Sequence, residues 1–213
     1  MGRVKSGVAG FDRLVDGGFP EKSVTLVSGS PGTGKSIFAL HFITEAAREN
    51  EFGVYITFEN TKEDIVRHAR ALGMDLEMLE KKDALRVISM WPKSFDEIMT
   101  KLTEIVKFKP RRLVVDSITS GVLEENREMI HEMIRKMKEM GLTTLLTSEL
   151  VHGQQGYSRD GMSEFITDGL VIMEAECMGE DLQRTIRIVK MRETKIDGGR
   201  HEILIGENGM TVK

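Results

Sequence analysis

The chain reads as an α/β fold with a mostly parallel central sheet flanked by helices and a β-rich C-terminal end, and three features of the sequence predict it. A β-branched run, Val24 to Ser28, leads through a glycine loop into a helical stretch, Ile37 to Arg48. The same alternation of strand-like and helix-like segments continues as far as Thr147. From Gly169 onward, strand-like runs follow one another with no helical pattern between them. Alternation predicts parallel strands joined by crossover helices, and its loss predicts a different arrangement at the end.

In the first unit the polar residues His41, Thr44, Glu45 and Arg48 form one helical stripe on an otherwise apolar segment, so the predicted helix is largely buried. Gly53 to Phe58 predicts the next strand. Thr61-Lys-Glu-Asp64 is a capping-box-like start for a helix that carries Ile65, Ala69 and Leu72 on one face. Leu85 to Ser89 predicts a strand, and Ser94-Phe-Asp-Glu97 opens a helix with Phe95, Ile98, Leu102 and Ile105 together, closed off by Pro110. Leu113-Val-Val-Asp116 predicts a strand ending in an acid. Met129, Met133, Met137 and Met140 recur at helical spacing up to Gly141, a residue suited to ending a helix; such a stripe reads as an adaptable core face. Thr143 to Thr147, Gly169 to Met173, Thr185 to Met191 and Glu202 to Ile205 predict the remaining strands.

The 213 residues, 40% apolar, suffice for one core, and neither a linker-like composition nor a repeat divides them, so residues 1–213 read as a single domain. A formal net charge of -4 offers no general attraction for nucleic acid. One cysteine and five scattered histidines fit neither a disulfide framework nor a zinc site. No stretch approaches the roughly 20 apolar residues of a membrane span, and no hydrophobic signal region follows Met1. The expectation is a cytoplasmic protein.

Gly29-Ser30-Pro31-Gly32-Thr33-Gly34-Lys35-Ser36 fits G-x-x-x-x-G-K-[ST] between a strand and a helix, the context in which that pattern has a mechanism. Gly32 and Gly34 let backbone N–H groups turn toward phosphate oxygens, and the helix dipole favours the anion. Lys35 would reach the β and γ phosphates, and Ser36 would give its hydroxyl to Mg²⁺. The expected ligands are therefore ATP and Mg²⁺. In an open parallel sheet ligands gather at the carboxyl ends of the strands, which picks out Glu59, Asp116 and Ser148-Glu149 as well as the loop. Asp116 suits a hold on the metal through water. Glu59 has two readings: a carboxylate that polarises the attacking water, or a residue that merely precedes the next helix start. Lys190 and Arg192 stand at i and i+2, and plain alternation puts them on the face of Ile186 and Ile188, where charges cannot continue a dry core; a solvated edge and an anion on another subunit both fit.

Taken with the loop, Gly7-Val-Ala-Gly-Phe-Asp-Arg-Leu-Val-Asp-Gly-Gly-Phe-Pro20, Tyr55-Ile-Thr-Phe-Glu59, Arg112-Leu-Val-Val-Asp-Ser117, Glu164-Phe-Ile-Thr-Asp168 and Lys190-Met191-Arg192 resemble the KaiC branch of the RecA superfamily over nearly the whole chain. The resemblance implies a RecA-type core, ATP hydrolysis and a ring of copies of this chain, usually six, with nucleotide held between neighbours. It further implies that Glu59 is the catalytic glutamate and that Lys190 and Arg192 reach the neighbour's γ-phosphate. Three departures stand out. Asn60 occupies a place where KaiC domains commonly carry a second acid. Glu164-Phe165 replace the Ser-Thr acceptor pair of the autokinase domain, which argues against autophosphorylation there. One domain is present where KaiC has two.

These features favour a regulatory ATPase read by protein partners. The rivals are a DNA-handling recombinase and a nucleotide-binding pseudo-ATPase, the latter kept open by Asn60. Ser117–Glu128 (Glu124, Glu125 and Glu128 against Arg127) and Glu149–Phe165 (Glu149, Asp160 and Glu164 against Arg159) each carry a net charge of -2; the resemblance implies that these stretches line the central axis of the ring, where such charge argues against phosphate contact. The basic stretch Arg184–Arg200 runs the other way, at net +4.

Overall fold

The computed structural model describes residues 2–119, 126–150, 156–178 and 181–213. Its frame is a nine-stranded sheet. Strands β3 (Val24–Gly29), β4 (Gly53–Thr57), β5 (Leu85–Ser89), β6 (Arg112–Asp116), β7 (Thr143–Glu149) and β8 (Gly169–Met178) run parallel. Antiparallel β9 (Asp181–Met191), β10 (His201–Gly206) and β11 (Gly209–Val212) extend one side, giving the order β11-β10-β9-β8-β3-β7-β6-β4-β5. A two-stranded ladder, β1 (Arg3–Val4) with β2 (Phe19–Pro20), and a 3₁₀ turn at Asp12–Val15 precede the frame.

The continuous apolar runs arise because both faces of the sheet are covered. Val27, Tyr55, Val114 and Leu145 pack on one side, under α1 (Lys35–Arg48), α2 (Lys62–Ala71) and the N-terminal segment. Leu26, Val54, Ile56, Leu113, Val115 and Leu146 pack on the other, under α4 (Phe95–Val106) and α5 (Arg127–Met140). α3 (Leu76–Lys81) precedes β5, and α6 (Ser163–Ile166) precedes β8. Period-two alternation along each strand thus feeds two cores. Phe11, Phe19, Phe38 and Phe42 interlock on the α1 side, Phe11 meeting Phe38 edge-on at 4.9 Å.

Local chemistry sets the helix ends. Thr61 accepts from the Asp64 N–H at 3.1 Å and Ser94 from the Glu97 N–H at 3.3 Å, as expected from the two capping patterns. Asn126 caps α5 through the Met129 N–H, and Gly141 ends it at φ 65°. Met133 and Met137 are buried while Met129 and Met140 flank them, so the methionine stripe is a core face, each buried side chain contributing roughly 1.5–3 kcal/mol.

Arg112 opens β6 in an unusual setting, 1% exposed. Its guanidinium pairs with Glu51 at 2.6 Å and donates to the carbonyls of Lys5 at 2.7 Å and Phe42 at 3.0 Å. It fastens the start of β6 to α1 and the N-terminal segment, at the opposite end of the strand from Asp116.

Candidate nucleotide site

The glycine loop lies between β3 and α1, at the carboxyl edge of the parallel strands. Gly32 and Gly34 have φ of 81° and 102°, the left-handed region that side chains disfavour. A Cβ at Gly34 would also lie 2.8 Å from the Met210 Cε, because the β10–β11 hairpin leans on the loop, so that side chain would have to shift. Thr33 turns inward and donates to the Ser30 carbonyl at 2.9 Å, whereas Pro31, Gly32 and Ser36 stay exposed.

Lys35 is 7% exposed. Its ammonium donates to the carbonyls of Gly29 at 2.9 Å and Ser30 at 3.1 Å and lies 3.7 Å from Glu149. Burial lowers its pKa, and Glu149, Asp116 and Glu59 oppose that shift. A cation short of water beside an open cleft suits a polyanion.

Asp116, buried at the end of β6, accepts from the Tyr55 hydroxyl at 2.5 Å on one oxygen and from the Thr147 hydroxyl on the other. Glu59, beyond β4, opens to the cleft and accepts from the Ser117 hydroxyl at 2.5 Å. Loss of water raises the Glu59 pKa; the Ser117 bond works against this, and Asp116 and Glu149 add to it. The strand order brings these groups together, since β7, β6 and β4 end side by side next to β3.

Together they line a cleft of about 540 Å³ whose walls include Pro31, Lys35, Ser36, Glu59, Asp116 and Glu149. Ser117, Arg184, Ile37 and Ile205 complete it. Ser117 stood in the motif ending β6 without a role. Arg184, seen in the sequence only as part of a basic stretch, donates through Nε to the Gly32 carbonyl at 3.0 Å. Only the antiparallel register of β9, which sets the start of that strand beside the loop, could have revealed it.

Among the described residues no group of three His, Cys, Asp or Glu side chains could hold a metal ion. The cleft instead offers two hard oxygen groups, the Ser36 hydroxyl and the Asp116 carboxylate. That set fits Mg²⁺, a cation that takes few protein ligands and completes its shell with phosphate and water.

Lys190, Met191 and Arg192 lie elsewhere. β9 runs antiparallel to β8, so Met191 pairs with Gly169 at the amino edge of the parallel strands, while the loop stands at the carboxyl edge. Lys190 donates to the Phe165 carbonyl at 3.2 Å, and Arg192, just past the strand, pairs with Asp168 at 3.1 Å. Within one chain the pair does not meet the loop. The plain alternation expected for these residues also fails. Val171 pairs with Ile188 but Leu170 with Lys190, so Val189 is an extra residue in the ladder. Ile186, Ile188 and the buried Met191 therefore share one core, and Lys190 lies opposite Leu170 of the other.

The second acidic stretch also changes meaning. Asp160 and Glu164 are each 7% exposed; Asp160 accepts from Ser163 and Glu164 from Tyr157 and Ser158. Their charges are used internally and do not form an acidic surface. Glu124 and Glu125 lie outside the described residues.

Residues 4–213 match the family described as "ATPase: KaiC". The chain is similar to the circadian clock oscillator proteins KaiC of Parasynechococcus marenigrum strain WH8102, 32% identical over 99% of this chain, and Synechococcus elongatus strain PCC 7942, 31% identical over 100%. It spans only 44% of the length of each. Among solved structures it is similar to a KaiC-like protein from the archaeon Pyrococcus horikoshii OT3, with 35% identity, a TM-score of 0.91 and coverage of 100% of this chain and 99% of that one. With a RecA-type sheet, a phosphate loop at its carboxyl edge and a family match along nearly its full length, the chain belongs to the KaiC family of P-loop ATPases.

Proposed function

We propose that this chain is a Mg²⁺-dependent, ATP-hydrolysing ATPase that assembles into homo-oligomeric rings, six subunits in the form the family suggests, and whose nucleotide state is read by protein partners in the cytoplasm. The observation that carries it is the convergence of the Lys35 ammonium, the Ser36 hydroxyl and the carboxylates of Asp116, Glu59 and Glu149 on one cleft at the phosphate loop. The loop residues Gly29 to Ser36 cradle the triphosphate, and Lys35 supplies a fixed charge to the β and γ phosphates. Ser36 and, through water, Asp116 hold Mg²⁺, which when bound offsets the charge on the phosphate oxygens. Glu59 takes a proton from a water that attacks the γ-phosphorus; the bond from that phosphorus to the bridging oxygen breaks, leaving ADP and inorganic phosphate.

Lys190 and Arg192, with Met191 between them, serve a neighbour's nucleotide in this reading. Their position at the amino edge supports it, because this chain's own loop stands at the opposite edge of the sheet. Measuring ATP hydrolysis and particle mass for the parent chain and for Glu59→Gln, with and without single-stranded DNA, tests the proposal. A hydrolysing ring, inactivated by Glu59→Gln and indifferent to DNA, is expected. A monomer, or turnover that needs DNA, refutes it.

A further inference from the structure

Beneath the cleft a short line of hydroxyls connects two of its carboxylate-bearing strands. Ser117 donates to Glu59 Oε1 at 2.5 Å. Ser117 Oγ and Thr119 Oγ1 lie 2.9 Å apart, and Thr119 Oγ1 accepts from the Glu149 backbone N–H at 3.2 Å. Both hydroxyls are buried, at 2% and 5% exposure. The segment that bears them is fixed by the Ile118 N–H, which donates to the Thr147 carbonyl at 3.0 Å.

Proton counting fixes the direction of the line. An ionised carboxylate only accepts, so the single Ser117 proton goes to Glu59. Thr119 must then donate to Ser117, which leaves its own oxygen to accept from Glu149. The order is Glu149 N–H to Thr119 to Ser117 to Glu59, and it begins at a backbone N–H that cannot reverse. Among the described residues the Glu59 carboxylate accepts this one hydrogen bond, on Oε1, which leaves Oε2 for the cleft. The residue at the near end of the line, Glu149, also faces the Lys35 ammonium.

We propose that Ser117 and Thr119 are positioning residues that hold Glu59 through Oε1, so that Oε2 faces the attacking water, and that they tie this posture to the end of β7 beside Lys35. The inference rests on Glu59 being the base in ATP hydrolysis. A carboxylate that gains a proton loses its demand for the Ser117 donor, so arrival of the water's proton loosens the line at its Glu59 end.

The test uses Ser117→Ala and Thr119→Val, read two ways. With ¹³C-labelled glutamate, the Glu59 side-chain carboxyl is titrated in the nucleotide-free protein, assigned by its loss in Glu59→Gln. Ser117→Ala is expected to move its midpoint to higher pH, and Thr119→Val to move it less in the same direction. In steady-state hydrolysis Ser117→Ala is expected to lose roughly tenfold in kcat at neutral pH, the loss of one charge-assisted hydrogen bond, with KM little changed and the acid limb shifted upward. If Ser117→Ala does not fold, Thr119→Val decides through both readouts. An unmoved carboxyl midpoint overturns the proposal even where Glu59→Gln abolishes turnover. A parent chain with no hydrolysis refutes the base assignment instead, while the titration still reports the hold on Glu59.

Discussion

Arg112→Met removes a guanidinium from the interior and keeps most of its apolar stem. Two buried carbonyls, of Lys5 and Phe42, lose their donor, at about 1–3 kcal/mol each. Glu51 also loses its inner partner but keeps Arg111 at 3.9 Å and some contact with water, so its share is small. The sum agrees with the roughly 3–5 kcal/mol lost when one member of a buried pair is removed. For a chain of this size each kcal/mol lowers Tm by about 2–4 °C, so a drop of roughly 6–20 °C is expected. Thermal unfolding followed by circular dichroism measures it. Nucleotide affinity at low temperature should stay within about threefold, because Arg112 and Asp116 lie at opposite ends of β6. A fall in Tm below about 2 °C would refute the reasoning, and so would a loss of affinity as large as the loss of stability.

Four further outcomes are expected. Lys35→Ala should abolish tight binding of a fluorescent ATP analogue in a titration, since it removes the point charge of the loop. Glu59→Gln should retain binding while hydrolysis falls about 10²–10⁴-fold in a phosphate-release assay. The raised pKa of Glu59 sets two signs: parental turnover should rise with pH through a limb above the ordinary carboxylate range, and the cost of ionised Glu59 to folding, absent below its unfolded pKa, should be complete above its folded pKa. Melting curves at pH 8 should accordingly show Glu59→Gln no less stable than the parent. Finally, Lys35→Ala and Arg192→Ala chains, each inactive alone, should regain part of the ATPase when mixed, once subunit exchange is shown by energy transfer; exchange without recovery would return Lys190 and Arg192 to a solvated edge.

The parallel half of the fold could be read from the sequence because each unit carries its own signals. Thr61 and Ser94 announce their helices, and strands buried on both faces stand out as unbroken apolar runs. The loop announced itself through its own motif, and the rule that ligands collect at the carboxyl ends of parallel strands pointed to Glu59, Asp116 and Glu149, which line the same cleft. Less local features escaped. β11 is four residues long and pairs with β10 across a tight turn, and its alternation, buried Met210 and Val212 around exposed Thr211, is too short to stand out in the sequence. The place of Arg184 depends on how far the β8–β9 hairpin extends, and that length is a matter of pairing, invisible to propensity. Asp160 and Glu164 appeared as surface charge because counting charges says nothing of where a carboxylate turns.

The surplus residue at Val189 has a consequence for engineering. Removing it would leave Ile188, Lys190 and Met191 opposite the same partners on β8, so no side chain would change sides. What would change is the bend that an extra residue imparts to a strand, and with it the direction in which Arg192 leaves the sheet. A one-residue deletion therefore re-aims that arginine while its chemistry and its neighbours in the ladder stay as they are. It is a gunsight adjustment that no substitution at Arg192 itself could provide.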